Sequence, residues 1–209
     1  MNTTWREALQ NRYFVYGIVL VGLSLLLLAL FMPYFFREVV ADKAGIQPND
    51  FILDHLTPVD WSWTIFTLIY SSVLLTLASN YRNPHVIAMG LATYSIVTWL
   101  RMVTIYLFTL EPPKGMIFLT DPFISLIVYP EYFAKDLFFS GHISAMTVLI
   151  LIEPNKSLRW IKLIATVIIA VLILVQHVHY TVDIVTAPLF TYGVYRFVIR
   201  YQKASEKLR

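Results

Sequence analysis

The sequence predicts an all-α, polytopic integral membrane protein with six transmembrane helices and both termini in the cytoplasm. Three observations carry that prediction. First, 58% of the 209 residues are hydrophobic and 14% are charged, whereas a soluble domain carries about 25% charged residues. So little charge cannot coat a water-exposed surface, and so apolar a chain is not disordered. Second, six stretches approach the roughly 20 apolar residues that a helix needs to cross a bilayer. Third, the basic residues between those stretches alternate in density, as the positive-inside rule requires.

The first stretch is Tyr13–Phe36, centred on Ile18–Phe31. Its apolar core exceeds that of a signal peptide and no small-x-small cleavage site follows, so it is read as a retained span. Ahead of it, Thr4-Trp5-Arg6-Glu7 fits a capping box and predicts a short interfacial helix. The remaining stretches are Trp61–Ser79, Val86–Leu110, Leu137–Ile152, Trp160–Val178 and Tyr180–Ile199. Between spans three and four, Glu111–Asp136 holds four prolines, and Phe123–Tyr129 within it is too short to span. That short run is placed at the interface or dipping back into the membrane. Residues 1–209 read as one domain, with no internal repeat.

Eleven basic residues fall on one side: Arg6, Arg12, Arg82, Lys156, Arg159, Lys162, Arg196, Arg200, Lys203, Lys207 and Arg209. Four fall on the other: Arg37, Lys43, Lys114 and Lys135. The first side is therefore cytoplasmic. Trp5, Trp61, Trp63, Trp99 and Trp160 lie near predicted span ends, as an aromatic belt would. The basic C-terminal tail reads as an anchor to anionic lipid, not as a nucleic-acid site. The chain has no cysteine, which excludes thiol chemistry and disulfides.

Ionisable groups at membrane depth are costly and point to function. Arg101 lies near the outer end of span three. Asp136, Ser140, Gly141 and His142 open span four. His177 and His179 close span five, and Asp183 lies one turn into span six. The topology brings all of them to the outer leaflet. His179 and Asp183, four apart, share a helix face. Asp183 would then accept from one imidazole nitrogen, fix the tautomer and sharpen the other nitrogen as a nucleophile. The competing reading is an acid that complements the helix dipole. Ser140-Gly141-His142 at a helix start offers free amides to an anion, with His142 beside it as general acid or base. Arg101 offers a planar fork to phosphate oxygens, or else snorkels to the headgroups. His177 either lines the site or is satisfied by a backbone carbonyl. His55 and His85 read as ordinary loop residues.

Three segments resemble the signatures of the sphingomyelin synthase family. Lys135-Asp136-Leu137-Phe138-Phe139-Ser140-Gly141-His142 is similar to its third, and His177-Val178-His179-Tyr180-Thr181-Val182-Asp183 to its fourth. Arg101-Met102-Val103-Thr104, continuing to Thr109-Leu110-Glu111-Pro112-Pro113, is similar to its second. That family lies within the lipid phosphate phosphatase superfamily. The resemblance implies a triad of His142, His179 and Asp183, in which His179 takes the phosphoryl headgroup, Asp183 orients it and His142 protonates the leaving lipid alkoxide. It implies no metal and no cofactor. It also implies phospholipid and lipid-alcohol substrates of ceramide or diacylglycerol type. Arg101, Ser140 and Gly141 would bind the phosphate, with Asp136, Glu111, Tyr180 and His177 as supporting residues. Other superfamily members carry Ser-Arg six and five residues before the nucleophile, where this chain has Ile173 and Leu174. Clamping of phosphate would then fall to Arg101 and the Ser140–His142 amides. Glu111 stands where the eukaryotic synthases have proline. The compact chain resembles bacterial members, which implies the inner (cell) membrane, with the active site on the non-cytoplasmic face. A homo-oligomer fits these features as well as a monomer. Two other classes place polar groups in membranes. A haem-binding electron carrier would use facing histidines but leave Asp183 and Arg101 idle. A transporter would show inverted repeats.

Overall fold

A computed structural model of the protein describes residues 4–122 and 133–207, all helix and loop, with no strand among them. The run Phe123–Tyr129 lies outside the described residues. The capping box at Thr4 forms: Thr4 Oγ1 accepts from the Glu7 amide, and the Thr4 amide donates to Glu7 Oε2 at 2.8 Å. It starts α1 (Trp5–Gln10), whose Trp5 indole donates to Tyr81 O. Asn11 ends α1 and caps α2 (Arg12–Tyr34) through a bond from the Tyr13 amide. The helix runs on through a π-helical turn, Phe35–Val40. After a first loop with a short 3-10 turn at Leu53–His55 come α3 (Ser62–Asn80) and α4 (Pro84–Leu107). Then follow α5 (Gly141–Leu151), α6 (Lys156–Val175) and α7 (Thr181–Lys207).

Five of these are long and apolar enough to cross a membrane: α2 with its extension, α3, α4, α6 and α7. The expected fourth span is shorter than the sequence suggests. Its helix begins at Gly141, not Leu137, and its 11 residues rise only about 16 Å. The backbone of residues 137–140 is held from outside the helix. Arg101 Nε donates to Phe139 O at 2.6 Å, and Thr104 Oγ1 donates to Phe138 O at 3.1 Å. The Ser140 amide donates to the main-chain oxygen of Asp183 at 3.1 Å. The Ser140 amide has one hydrogen, and once it is given to Asp183 it cannot join an α-helical ladder.

The short α5 is the centre of the molecule, touching α3, α4, α6 and α7. Phe139, Ile143 and Met146 pack with Ile65, Ile169 and Ile173 in the main core. Phe139 also stacks on Phe190 of α7 with ring centres 4.7 Å apart. By contrast, α2 lies at the periphery and meets α4 through Leu28, Phe35, Met102 and Ile105. Trp99 packs on Phe31 of α2 and donates to Ser24 Oγ. At the far end from Gly141, Glu153 and Lys162 form a fully buried ion pair. Glu153 also accepts from Ser79 Oγ and the Asn155 amide. Lys162, read from sequence as a loop cation, is thus a core residue of α6 tied to the α3 end.

Candidate active site

The end of α6 is built by a reversal that the sequence does not advertise. His177 adopts φ 56°, a left-handed conformation usually left to glycine. Its amide bonds to Leu174 O, and the Val178 amide bonds to Ile173 O, which together close a Schellman motif. The ring then holds two loops, with Nδ1 2.8 Å from Lys114 O and Nε2 3.2 Å from Leu56 O. Of the two roles open to His177, bonding to backbone carbonyls is the one seen. The adjacent Gln176, fully buried, accepts from the Trp61 amide at 2.9 Å and donates to Ser62 Oγ at 3.0 Å.

His179 follows in the turn before α7, so it is not itself helical. Its Nδ1–H donates to Asp183 Oδ2 across 3.3 Å, and both side chains are buried. Asp183 is the third helical residue, and the same Oδ2 accepts from the Tyr180 amide at 3.0 Å. That is half of a capping box, so Asp183 serves the helix start and the histidine together. The start of α7 is held from outside too. Asp50 of the first loop accepts from the Thr181 amide at 2.6 Å and from Thr181 Oγ1 at 3.0 Å. Burial opposes the ionised form of Asp50, but the bonds from Thr181, Leu53 and Ile52 outweigh it and hold the carboxyl below its usual range. Neither Asp50 nor Gln176 stands out in the sequence, because Thr181 lies 131 residues from Asp50 and Trp61 lies 115 from Gln176.

The ring of His142, at the start of α5, faces that of His179 with centres 6.4 Å apart at 64°. Phe66 of α3 meets its edge at 5.8 Å. His142 Nδ1 and Asp183 Oδ1 are buried and take no bond from the described residues. Unsatisfied buried atoms are rare and call for an explanation, and here two lie in one cluster. Arg101 reaches the same cluster from α4. Besides Phe139 O it binds Asp136 Oδ1 through Nη2 at 2.7 Å. Its guanidinium lies against Gly141, where a Cβ would come within 2.6 Å of Nη1. The fork expected to be free for phosphate is thus already engaged. Ser140 is engaged as well, since its Oγ caps the Ile143 amide and its own amide is bound to Asp183 O. The amides of Gly141 and His142, the first two of the helix, remain as donors at that end.

The supporting residues divide. Asp136 is in the cluster, paired with Arg101. Glu111 is not: its carboxylate accepts from the Gly45 amide at 2.8 Å and from Lys135 Nζ at 3.0 Å. The Lys135 bond, then the Gly45 bond, hold its carboxyl below the usual range. It ties the first loop to the third, beside a bridge between Ile46 and Leu110 so close that a Cβ on Gly45 would meet Leu110 C at 2.9 Å. Tyr180 is buried, and its hydroxyl donates to Glu111 O at 3.0 Å. A cavity of about 270 Å³ lies over this end of the bundle, lined among others by Asp50, Lys114, His177 and Tyr180.

The Gly141 contact makes a direct prediction. In Gly141→Ala the new methyl must push a guanidinium already pinned by Phe139 O and Asp136. Displacing a positioning group by about 1 Å costs on the order of 10² in turnover. We expect that loss with little change in the melting temperature of the detergent-purified protein, and unchanged turnover would show that Arg101 has no part in catalysis.

No curated protein matches the chain significantly. Residues 135–201, the stretch that carries Asp136, Ser140, Gly141, His142, His179 and Asp183, match the family model described as PAP2 superfamily C-terminal, and that match implies phosphatase or phosphotransferase chemistry on phosphorylated lipids.

Proposed function

We propose that the protein cleaves the phospho-headgroup of a membrane lipid through a phosphohistidine and passes it to a lipid alcohol, of ceramide or diacylglycerol type, or to water. The observation that carries this reading is the pairing of His179 with Asp183 opposite the ring of His142. With Nδ1–H on Asp183, Nε2 of His179 keeps its lone pair. Nε2 attacks phosphorus and forms a P–N bond as the P–O bond to the donor lipid breaks. The departing alkoxide takes a proton from His142. In the second half, the acceptor hydroxyl gives its proton to His142 and its oxygen bonds to phosphorus. The P–N bond then breaks, and its electron pair returns to Nε2. His142 thus acts as general acid and then as general base.

Charge supports a phosphodiester donor. Among the described residues Arg101 is the permanently charged cation of the cluster, already paired with Asp136, and Asp183 is paired with His179. A diester carries one negative charge into this setting, where the second charge of a phosphomonoester would meet two carboxylates with no permanently charged cation beyond Arg101 among the described residues. The test is an assay of the purified protein in detergent against phosphatidic acid, phosphatidylcholine, phosphatidylethanolamine, phosphatidylinositol and ceramide phospholipids. Release to water and transfer to diacylglycerol or ceramide are scored together, with acid-labile phosphate on the protein as the mark of the intermediate. Inactivity on every lipid in both assays would remove the reading.

The uneven basic residues support a site that opens to the non-cytoplasmic side. Because the chain has no cysteine, single cysteines report sidedness cleanly. An impermeant thiol reagent on intact cells should label Lys114→Cys, in the third loop beside His177, and spare Ser157→Cys at the other end of α6. The opposite pattern would put the chemistry in the cytoplasm.

A further inference from the structure

We propose that Asp136 is a placeholder for the phosphoryl group on Arg101, a carboxylate that the substrate must displace. The inference rests on the phosphoryl reading of the site and adds to it what the cluster does between turnovers.

The two ends of the Arg101–Asp136 pair are held very differently. Arg101 is fixed: its side chain is 8% exposed, Nε donates to Phe139 O at 2.6 Å, and the guanidinium rests on Gly141. Asp136 is not. Its side chain is 31% exposed, and among the described residues Arg101 Nη2 is the one bonding partner of its carboxylate. It stands in a non-helical stretch ahead of α5. Separating the pair therefore moves Asp136 outward and leaves Arg101 in place.

The position of the contact matters as much as its looseness. The Nε of Arg101 is spent on a backbone carbonyl, so its Nη edge is what an anion can bind. Nη1 of that edge lies over Gly141, whose amide is one of the two open donors at the start of α5. Nη2 carries Asp136. A phosphoryl oxygen drawn to the Gly141 and His142 amides meets this same edge, and a bidentate grip needs the corner that Asp136 holds.

A placeholder answers a physical difficulty. A buried guanidinium with no counter-charge is strongly destabilising. Asp136 neutralises Arg101 until a phosphate replaces it, so the cation is paired in both states. The cost falls on affinity, because the incoming anion must first displace a charged hydrogen bond. A purely orienting carboxylate would behave oppositely, since its loss would loosen Arg101 and weaken anion binding.

The experiment uses the full-length protein in detergent and orthovanadate as the probe, with binding read as a thermal shift and as inhibition of turnover. Asp136→Asn should bind vanadate about tenfold more tightly than wild type, the difference between a charged and a neutral bond to Arg101. Asp136→Ser should show the same gain and serves if the first variant does not fold. The gain must run through Arg101, so it should vanish when either change is made on Arg101→Gln. Weaker vanadate binding in Asp136→Asn and Asp136→Ser would show that Asp136 orients Arg101 and would overturn the proposal. A gain that persists on Arg101→Gln would reduce Asp136 to a distant field and would overturn it too. Both results leave the phosphoryl reading standing if wild type binds vanadate and turns over a phospholipid. A wild type that does neither overturns both.

Discussion

His179→Ala should abolish turnover of every phospholipid while leaving a protein that still folds. The expectation follows from role and from placement. Nε2 of His179 is the proposed nucleophile, and no other side chain in the cluster combines a free nitrogen lone pair with an orienting carboxylate. The side chain also lies in a turn whose shape is set by other groups: the Schellman closure at His177, the Gln176 bonds and the grip of Asp50 on Thr181. Removing the imidazole therefore costs chemistry more than fold. Asp183→Asn should be nearly as severe, on the order of 10⁴, because an amide can donate to Nδ1 and stabilise the wrong tautomer. The same position serves the Tyr180 amide, so an amide nitrogen placed there also loses that bond, and a drop in melting temperature should accompany the loss of activity. Single-turnover assays with radiolabelled lipid, scored for acid-labile label on the protein, separate the steps. Label on His179→Ala at wild-type levels would mean that another residue is the nucleophile. Among the alternatives, His142 would then be the first to test.

Arg101→Leu should cost at least about 10² in turnover, comparable to removing one preorganised donor from an oxyanion site. Two effects add. The cation that neutralises charge on the phosphoryl oxygens is lost, and Asp136 is left as an unpaired negative charge beside the incoming anion. The double change Arg101→Leu with Asp136→Asn should therefore recover part of the loss in substrate binding but not in the chemical step. Arg101→Lys keeps the charge but cannot bind Phe139 O through Nε and grip phosphate with a fork at once, so partial activity is expected. The matching control is Arg82→Leu. Arg82 lies in the turn between α3 and α4, at the end of the bundle away from Gly141, and its loss should be silent in the same assay. Full activity in Arg101→Leu would make Arg101 a structural pin for residues 138–140 and return phosphate binding to the Gly141 and His142 amides.

Much of the architecture was open to reading before any coordinates. Long apolar stretches in this chain must be helices, since a lipid environment leaves backbone groups no other partner. Five of the six stretches form helices long enough to span. Polar residues at alternating span ends come to one end of an antiparallel bundle, and Arg101, Asp136, His142, His179 and Asp183 are found together there. The spacing of His179 and Asp183 was local, so their contact could be anticipated even though His179 proved to sit just outside the helix. Where local pattern misled, a distant partner was responsible. Residues 137–140 are apolar enough to be helical, but side chains of α4 and the backbone of α7 claim their peptide groups. Lys162 looks like a loop cation, but Glu153 meets it in the core.

What the sequence determined alone was the class of molecule and the inventory of its chemistry: a helical membrane chain with two histidines, an aspartate and one arginine at a common end. These follow from composition and from spacings of a few residues, which no later folding event can alter. The tertiary structure decided how those groups are engaged. That Arg101 is already paired, that His177 is a clamp between loops and that Asp50 grips the helix of Asp183 all depend on contacts between residues 35 to 131 positions apart. Such contacts obey no sequence period. They exist because helix packing brings distant segments within bonding distance, and every buried polar group must then take whichever partner it meets.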